Sequence, residues 1–222
     1  MITQAGVDGD GAPTRERILA AAVELFGRQG YSATSVGEIE RAAGLSPRAG
    51  GFYRHFPSKR AALEAAVARR VEAAEGARSL VDGALTGDVR TETAALGRAA
   101  LRIVGADQAV MRIVMREGDN FPELRDDFYE RIVQTGHSST LAWLRHAAER
   151  AAVDPDAIDL EALATLVLGS IINHCVLATL FGQAAGGLSD ERFLAIWTDS
   201  TLKLLEADGL LVADTPNREA SE

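Results

Sequence analysis

The chain has 222 residues, of which 47% are hydrophobic and 25% charged, a globular balance that excludes overall disorder. Six prolines and the lone Cys175 exclude collagen-like, proline-rich and disulfide-stapled designs. A net charge of −9 argues against nucleic-acid binding by the chain as a whole, yet residues 15–60 hold eight basic and four acidic side chains, a local net of +4. There are 39 alanines against 5% aromatic residues, and proline-free spans cover 58–121 and 156–215. Alanine is the best helix former and proline breaks helix interiors, so the sequence predicts an all-α fold.

Residues 1–12 are polar and rich in Gly and Asp, without the basic and apolar regions of a signal peptide. They predict a disordered tail on a cytoplasmic protein. A first helix is expected over Arg15–Gln29, where Ile18, Leu19, Ala22, Leu25 and Phe26 form one apolar stripe before Gly30. Ser35-Val36-Gly37-Glu38 reads as a capping box opening a second helix that Gly44 ends. Ser46-Pro47 suits the start of a short third helix ending near His55-Phe56. Pro57-Ser58 then opens a long fourth, to about Leu80.

Beyond a Gly-rich break at 83–87, helices are expected near 91–104 and 108–116. Gly118–Pro122 is a second break. A long helix follows, from Glu123 to about Ala152, with a bend near Gly136. The run Ala162–Gly182 contains no Asp, Glu, Lys or Arg over 21 residues, long enough to cross a bilayer. Asn173 and His174 lie mid-run and the flanks Glu161 and Asp190 are acidic, so it reads as a helix buried on most of its circumference. Ser189 caps a last helix to about Ala207, and 211–222 reads as a polar tail.

Function concentrates in residues 35–56, where two short capped helices flank a tight glycine turn, the pattern of a helix-turn-helix. Ile39 and Leu45 can bury against each other, Ala42 and Ala43 let the helices cross closely, and Phe52 and Phe56 anchor the second helix. Pro47, Arg48, Ala49, Gly50, Tyr53 and Arg54 are left facing outward. In this motif the second helix enters the major groove of DNA. An ordinary α-hairpin in a bundle shares the spacing; the local +4 charge favours DNA.

Ile18–Ala22 with Leu25-Phe26, Gly30-Tyr31, Glu38-Ile39, Ala42–Ser46 and Phe52–Lys59 together resemble the N-terminal domain of the TetR family of bacterial transcriptional repressors. The match runs from about residue 13 to 70. Further on, the resemblance rests on helix count and on Arg116-Glu117 with Phe121–Leu124. One departure stands out: five residues, Pro47–Gly51, separate the turn serine from Phe52-Tyr53, where the commonest family spacing has three. The longer segment reads either as close backbone approach to DNA or as a loop before a shorter helix.

The resemblance implies a helix-turn-helix domain at 13–60, its linking helix running to about 80, and a ligand-binding and dimerisation domain at 61–210. It implies that Tyr53, His55 and Lys59 contact phosphates. Ser35 and Ser46 would present donors to phosphates, Arg48 is the favoured reader of a guanine edge, and Arg54 suits either task. The helices at about 160–182 and 190–207 would pair with their copies in a homodimer. An effector would lie among the middle helices, with candidate contacts Met111, Met115, Phe121, Phe128, Trp143, Asn173, His174, Leu177 and Phe181. Asn173 and His174 are favoured, because polar groups in so apolar a helix need partners.

The implied whole is a repressor that binds a palindromic operator and is released by a small, largely apolar molecule. Its partners are double-stranded DNA, the effector and a second copy, with no membrane, cofactor or metal. A helical scaffold that binds no DNA, and an activator of the same family, are the alternatives. Catalysis is not expected, because no histidine has a Glu three residues before it and no phosphate-binding loop or Gly-x-Ser-x-Gly occurs.

Overall fold

Nine α-helices account for most of the described residues of the computed structural model, which are 13–82, 88–106 and 108–211. The tails and the 83–87 break read from the sequence lie outside them, apart from Leu211. In chain order the helices are α1 (Thr14–Gln29), α2 (Val36–Ala42), α3 (Lys59–Asp82), α4 (Val89–Gly105), α5 (Gln108–Glu117), α6 (Pro122–Phe128), α7 (Thr135–Arg150), α8 (Leu160–Phe181) and α9 (Asp190–Ala207). No strand occurs among the described residues.

Local chemistry accounts for the ends. The Ser35 side chain accepts from the Glu38 amide at 3.3 Å while Glu38 Oε2 accepts from the Ser35 amide at 2.7 Å, a complete capping box. Asp88, Asp159 and Ser189 cap α4, α8 and α9 with the side chain alone, each accepting from first-turn amides. Hydrogen bonds from Ser35, side chain first and then backbone, hold the Glu38 carboxyl below its ordinary range. Those from Thr91 do the same for Asp88. Both caps therefore act at neutral pH and weaken as pH falls through those lowered values. The long helix read from Glu123 to Ala152 is α6 and α7 joined through a π-helical segment, Tyr129–Gln134. The Thr135 hydroxyl donates to the Glu130 carbonyl five residues back at 3.0 Å, which suits that wider turn.

The expected third short helix is not an α-helix. Residues 46–51 form turns, and Phe52–Phe56 make a single helical turn in which the His55 and Phe56 amides reach the Phe52 carbonyl at 2.9 and 3.0 Å. Arg48 at φ +66 and Gly50 at φ +74 lie in the left-handed region, which a helix cannot pass through.

The described residues form two compact units. The first contains α1, α2, the 46–58 segment, α3 as far as residue 74, α5 and α6. Ile18, Phe26, Ile39, Phe52, Phe56 and Leu63 fill its core. α1 and α5 cross closely: a Cβ on Gly27 would lie 3.0 Å from Ala109. The second unit contains the remainder of α3 with α4, α7, α8 and α9. Its core includes Trp143, Leu144, Ala164, Ile171, Trp197 and Leu205. The Trp197 indole N–H donates to the Val167 carbonyl of α8 at 3.0 Å. Gly97 of α4 lies under that ring, where a Cβ would run into Trp197 and Leu194. Gly97→Val is therefore expected to overpack the α4–α9 contact at a cost of about 1–3 kcal/mol, read as a lower denaturant midpoint with unchanged slope.

Candidate nucleic-acid interface

α2 ends where Gly44 turns left-handed at φ +70, and the Leu45 amide returns to the Glu40 carbonyl at 2.8 Å. Ile39, Ala43, Phe52 and Phe56 are buried beneath this turn. Above it, Ser35, Ser46, Pro47, Arg48, Ala49, Tyr53, Arg54 and His55 are exposed and Gly50 is half-buried. Tyr53 is 60% exposed, an unusual setting for a large aromatic side chain. Nothing lies within 4 Å of a Cβ placed on Gly50, so backbone conformation rather than space calls for glycine there.

Two of the sequence-derived donors are already engaged. The Lys59 ammonium donates to the Tyr31 and Thr34 carbonyls, both at 2.7 Å, and sits 4.1 Å over the Tyr31 ring. It is a strut between α3 and the segment after α1, with one N–H left over. The Ser35 hydroxyl accepts within its capping box and donates to Glu38 Oε2 at 2.7 Å.

Glu40 was not singled out from the sequence. It is only 1% exposed, and its carboxylate accepts from the Arg48 amide at 2.7 Å and the Phe52 amide at 3.1 Å. Its signal in the sequence is position: an acidic residue between Ile39 and Ala43, on the apolar face of a short helix.

The Arg116–Leu124 stretch fastens α5 and α6 to the same unit. Buried Glu117 accepts from the Tyr31 amide at 2.9 Å and from Asn120 Nδ2 at 3.3 Å. Phe121 is buried with its ring edge-on to Tyr31 at 4.9 Å. The Arg60 guanidinium lies 5.3 Å from the Phe121 ring centroid and pairs with Glu123.

The nine effector candidates divide between the units. Met111, Met115, Phe121 and Phe128 belong to the first; Trp143, Asn173, His174, Leu177 and Phe181 belong to the second. Met111, Phe128 and Leu177 are half-buried. Met115 and Phe181 are exposed, Phe181 at 70%, because α8 ends there. Trp143 is buried in the core, with its indole N–H donating to Glu92 at 3.3 Å. Asn173 is exposed, on the stripe of α8 that carries Leu166, Ser170 and Leu180. His174 is buried and has its partner within the chain. Its Nε2 lies 2.8 Å from Asp190 Oδ1, and its ring stacks on Phe193 with centroids 4.2 Å apart.

Glu92 carries no local signal in the sequence. It is buried in α4, with both oxygens paired to the Arg150 guanidinium at 3.1 and 2.9 Å. Cys175 is buried beside His174, and burial first, then the Asp190 charge, push its thiol up to about 11. At neutral pH it is therefore a protonated, inaccessible thiol. Alkylation by a maleimide is expected to be slow in the native protein and complete only in denaturant; equal rates in both would contradict the packing.

α8 is long and apolar enough to cross a membrane by length and composition alone. Leu163, Ala164, Val167, Ile171 and Cys175 on its inner side belong to the core of the second unit.

Two family models match the chain. "Bacterial regulatory proteins, tetR family" matches residues 18–66, and "AefR-like transcriptional repressor, C-terminal domain" matches 93–213. Among curated proteins, the regulator AcrR of Shigella flexneri is 50% identical over 46 residues, 21% of this chain and 20% of that protein. UidR of Escherichia coli strain K12 is 40% identical over 62 residues, 28% of this chain and 31% of that protein. The match thus spans a fifth to a third of those relatives. Solved structures are similar over nearly the whole chain. Salmonella enterica GusR has 26% identity and a TM-score of 0.60, covering 89% of this chain and 97% of that one. A fatty acid degradation regulator, FadR from Bacillus halodurans, has 16% identity and a TM-score of 0.64, covering 87% and 96%, a likeness of fold.

Proposed function

Because the chain belongs to the TetR family of bacterial regulatory proteins and carries an AefR-like C-terminal domain, we propose that it is a ligand-responsive transcriptional repressor. It binds a palindromic DNA operator as a homodimer. The observation that carries this reading is the exposed row Pro47–Ala49 and Tyr53–His55, set in the locally basic region of an acidic chain. Basic side chains supply the salt-dependent attraction to phosphates, and guanidinium groups read guanine edges through paired donors. A gel shift with the DNA upstream of its own gene, at two salt concentrations, tests the proposal. Shifting that weakens steeply with salt supports it, and an unshifted duplex at micromolar protein rejects it.

The ten interface residues have unequal roles. Arg48 and Arg54 are the base-reading candidates. Tyr53, His55 and Ser46 position the phosphates, while Pro47, Ala49 and Gly50 shape the approach. Ser35 contributes through its capped helix start, and Lys59 through its remaining N–H. Arg48→Ala is expected to cost about 1–3 kcal/mol at one base pair and to relax preference there. Lys59→Ala is expected to weaken all sequences alike and also to lower the unfolding midpoint, because two carbonyls lose their donor. Anisotropy titrations with single-substituted duplexes, beside thermal melts, separate the two.

The homodimer face consists of the exposed apolar side chains of α8 and α9: Leu166, Leu180 and Phe181 with Ile196 and Leu204. Asn173 falls in the same stripe and belongs to this face rather than to the effector. The effector is largely apolar and sits in the second unit, against Trp143 and Leu177, with His174 as its polar contact. α3 begins at Lys59 in the first unit and continues into the second, so an effector that favours one setting of α3 changes DNA affinity. Met111, Met115, Phe121 and Phe128 act on the DNA-binding side of that response, since Phe121 packs on Tyr31. A cytoplasmic location accords with this function.

A further inference from the structure

We infer that Glu40 is the positioning residue of DNA recognition: its buried carboxylate holds the 46–52 segment as a fixed reading loop in place of a regular recognition helix. The inference rests on the DNA-binding reading above and extends it to how sequence is discriminated.

A carboxylate removed from water must have its oxygens satisfied. Those of Glu40 accept from the Arg48 amide at 2.7 Å and the Phe52 amide at 3.1 Å. Bonds from N–H groups to a charged oxygen are stronger than neutral ones. The same two amides are donors for which the 46–51 segment, being turns, has no helical ladder. The side chain of α2 thus supplies what the missing helix would have supplied.

The two amides also lie at the two points that matter. Arg48 has φ +66, a conformation that non-glycine residues adopt only when their surroundings enforce it. The short bond to Glu40 is such an enforcement, and the Arg48 side chain is left exposed between Pro47 and Ala49. Phe52 opens the single helical turn that carries exposed Tyr53, Arg54 and His55. One carboxylate therefore sets the register of both exposed groups to α2. Gly50 at φ +74 and Gly51, whose Cβ would lie 3.4 Å from Leu45, let the chain pass between them. The two-residue lengthening of this segment and the buried acid under it form one device.

Its loss should reduce discrimination more than attraction, because the positive charges remain. The test uses the full-length dimer and a duplex selected by the wild-type chain from a randomised library. Glu40→Gln keeps the volume but offers one acceptor oxygen where two are needed. It is expected to lower the preference for the selected duplex over a random one by about 10- to 100-fold. Affinity for the random duplex should stay within roughly threefold. Hydrogen exchange followed by mass spectrometry should rise in peptides covering 46–56 and stay unchanged over α1 and α5. Glu40→Ala should give the same pattern more strongly. Unchanged preference in both variants overturns the inference. So does exchange that rises throughout the first unit, which would make Glu40 a general stabiliser. A wild-type chain that selects no sequence overturns the DNA-binding reading and this inference with it, an outcome distinct from a selective wild type with equally selective variants.

Discussion

Replacing Glu92 by alanine is expected to be among the most destabilising single changes in the second unit. Its carboxylate is fully buried in α4, and it joins α4 to α7 through both nitrogens of the Arg150 fork and the Trp143 indole N–H. Hydrogen bonding to Glu92 raises the Arg150 pKa further, so the guanidinium stays charged at any working pH. Removing one member of a buried pair leaves an uncompensated charge, at a cost of about 3–5 kcal/mol. Arg150 keeps partial access to solvent, which moves the expectation to the lower end. At roughly 2–4 °C per kcal/mol for a chain of this size, the melting midpoint should fall by about 6–12 °C. Adding Arg150→Ala should recover part of the loss, since the unpaired charge is then gone. A midpoint within about 2 °C of the wild type would show that the pair contributes nothing net.

Leu166→Arg is expected to have the largest effect on function. Leu166 is 59% exposed on α8, and Ile196 is 66% exposed on α9. Isolated exposed leucines are ordinary; a stripe shared by two helices is the mark of an interface. A charge that must be buried against a second copy costs about 3 kcal/mol or more, so the dimer dissociation constant should rise at least 100-fold. Leu168, on the same helix, is half-buried within the chain itself, so a charge there would confuse dimerisation with folding. Sedimentation should show a folded monomer, and operator affinity should fall with it, because one reading loop cannot span two half-sites. An unaltered dimer would move the interface elsewhere.

Much of the fold was legible because its helix ends are written in local chemistry. Ser35 and Glu38, Gly44, and Ser189 act within four residues of themselves, so their caps follow from spacing. The run Ala162–Gly182 announced α8 for a similar reason. Its lack of charge hid which side faced inward. Asn173 reads from the sequence as a polar group in need of a partner; its exposure is set by the packing of Val167, Ile171 and Cys175 on the other side of α8.

The recognition segment was less legible. Ser46-Pro47 is a sound helix start, and the turn that replaced the helix depends on Glu40, which lies six residues earlier on another element. The setting of Lys59 was hidden in the same way. A lysine at a family phosphate position looks free in sequence, yet its bonds to Tyr31 and Thr34 span 28 and 25 residues. Glu92 lies 51 residues from Trp143 and 58 from Arg150, and nothing local to it signals either partner. The candidate site was thus readable as to which residues stand exposed around the turn, and unreadable as to what holds them.

Two copies of this chain are expected to read one palindromic duplex. The deciding experiment is to incubate the purified protein with sheared DNA of its own genome and sequence what is retained at near-physiological salt. The expected result is an inverted repeat shared by the retained fragments, with half-site centres about one helical turn, roughly 34–36 Å, or a multiple of it apart. Retained fragments with no common repeat, or none above a protein-free control, would contradict it.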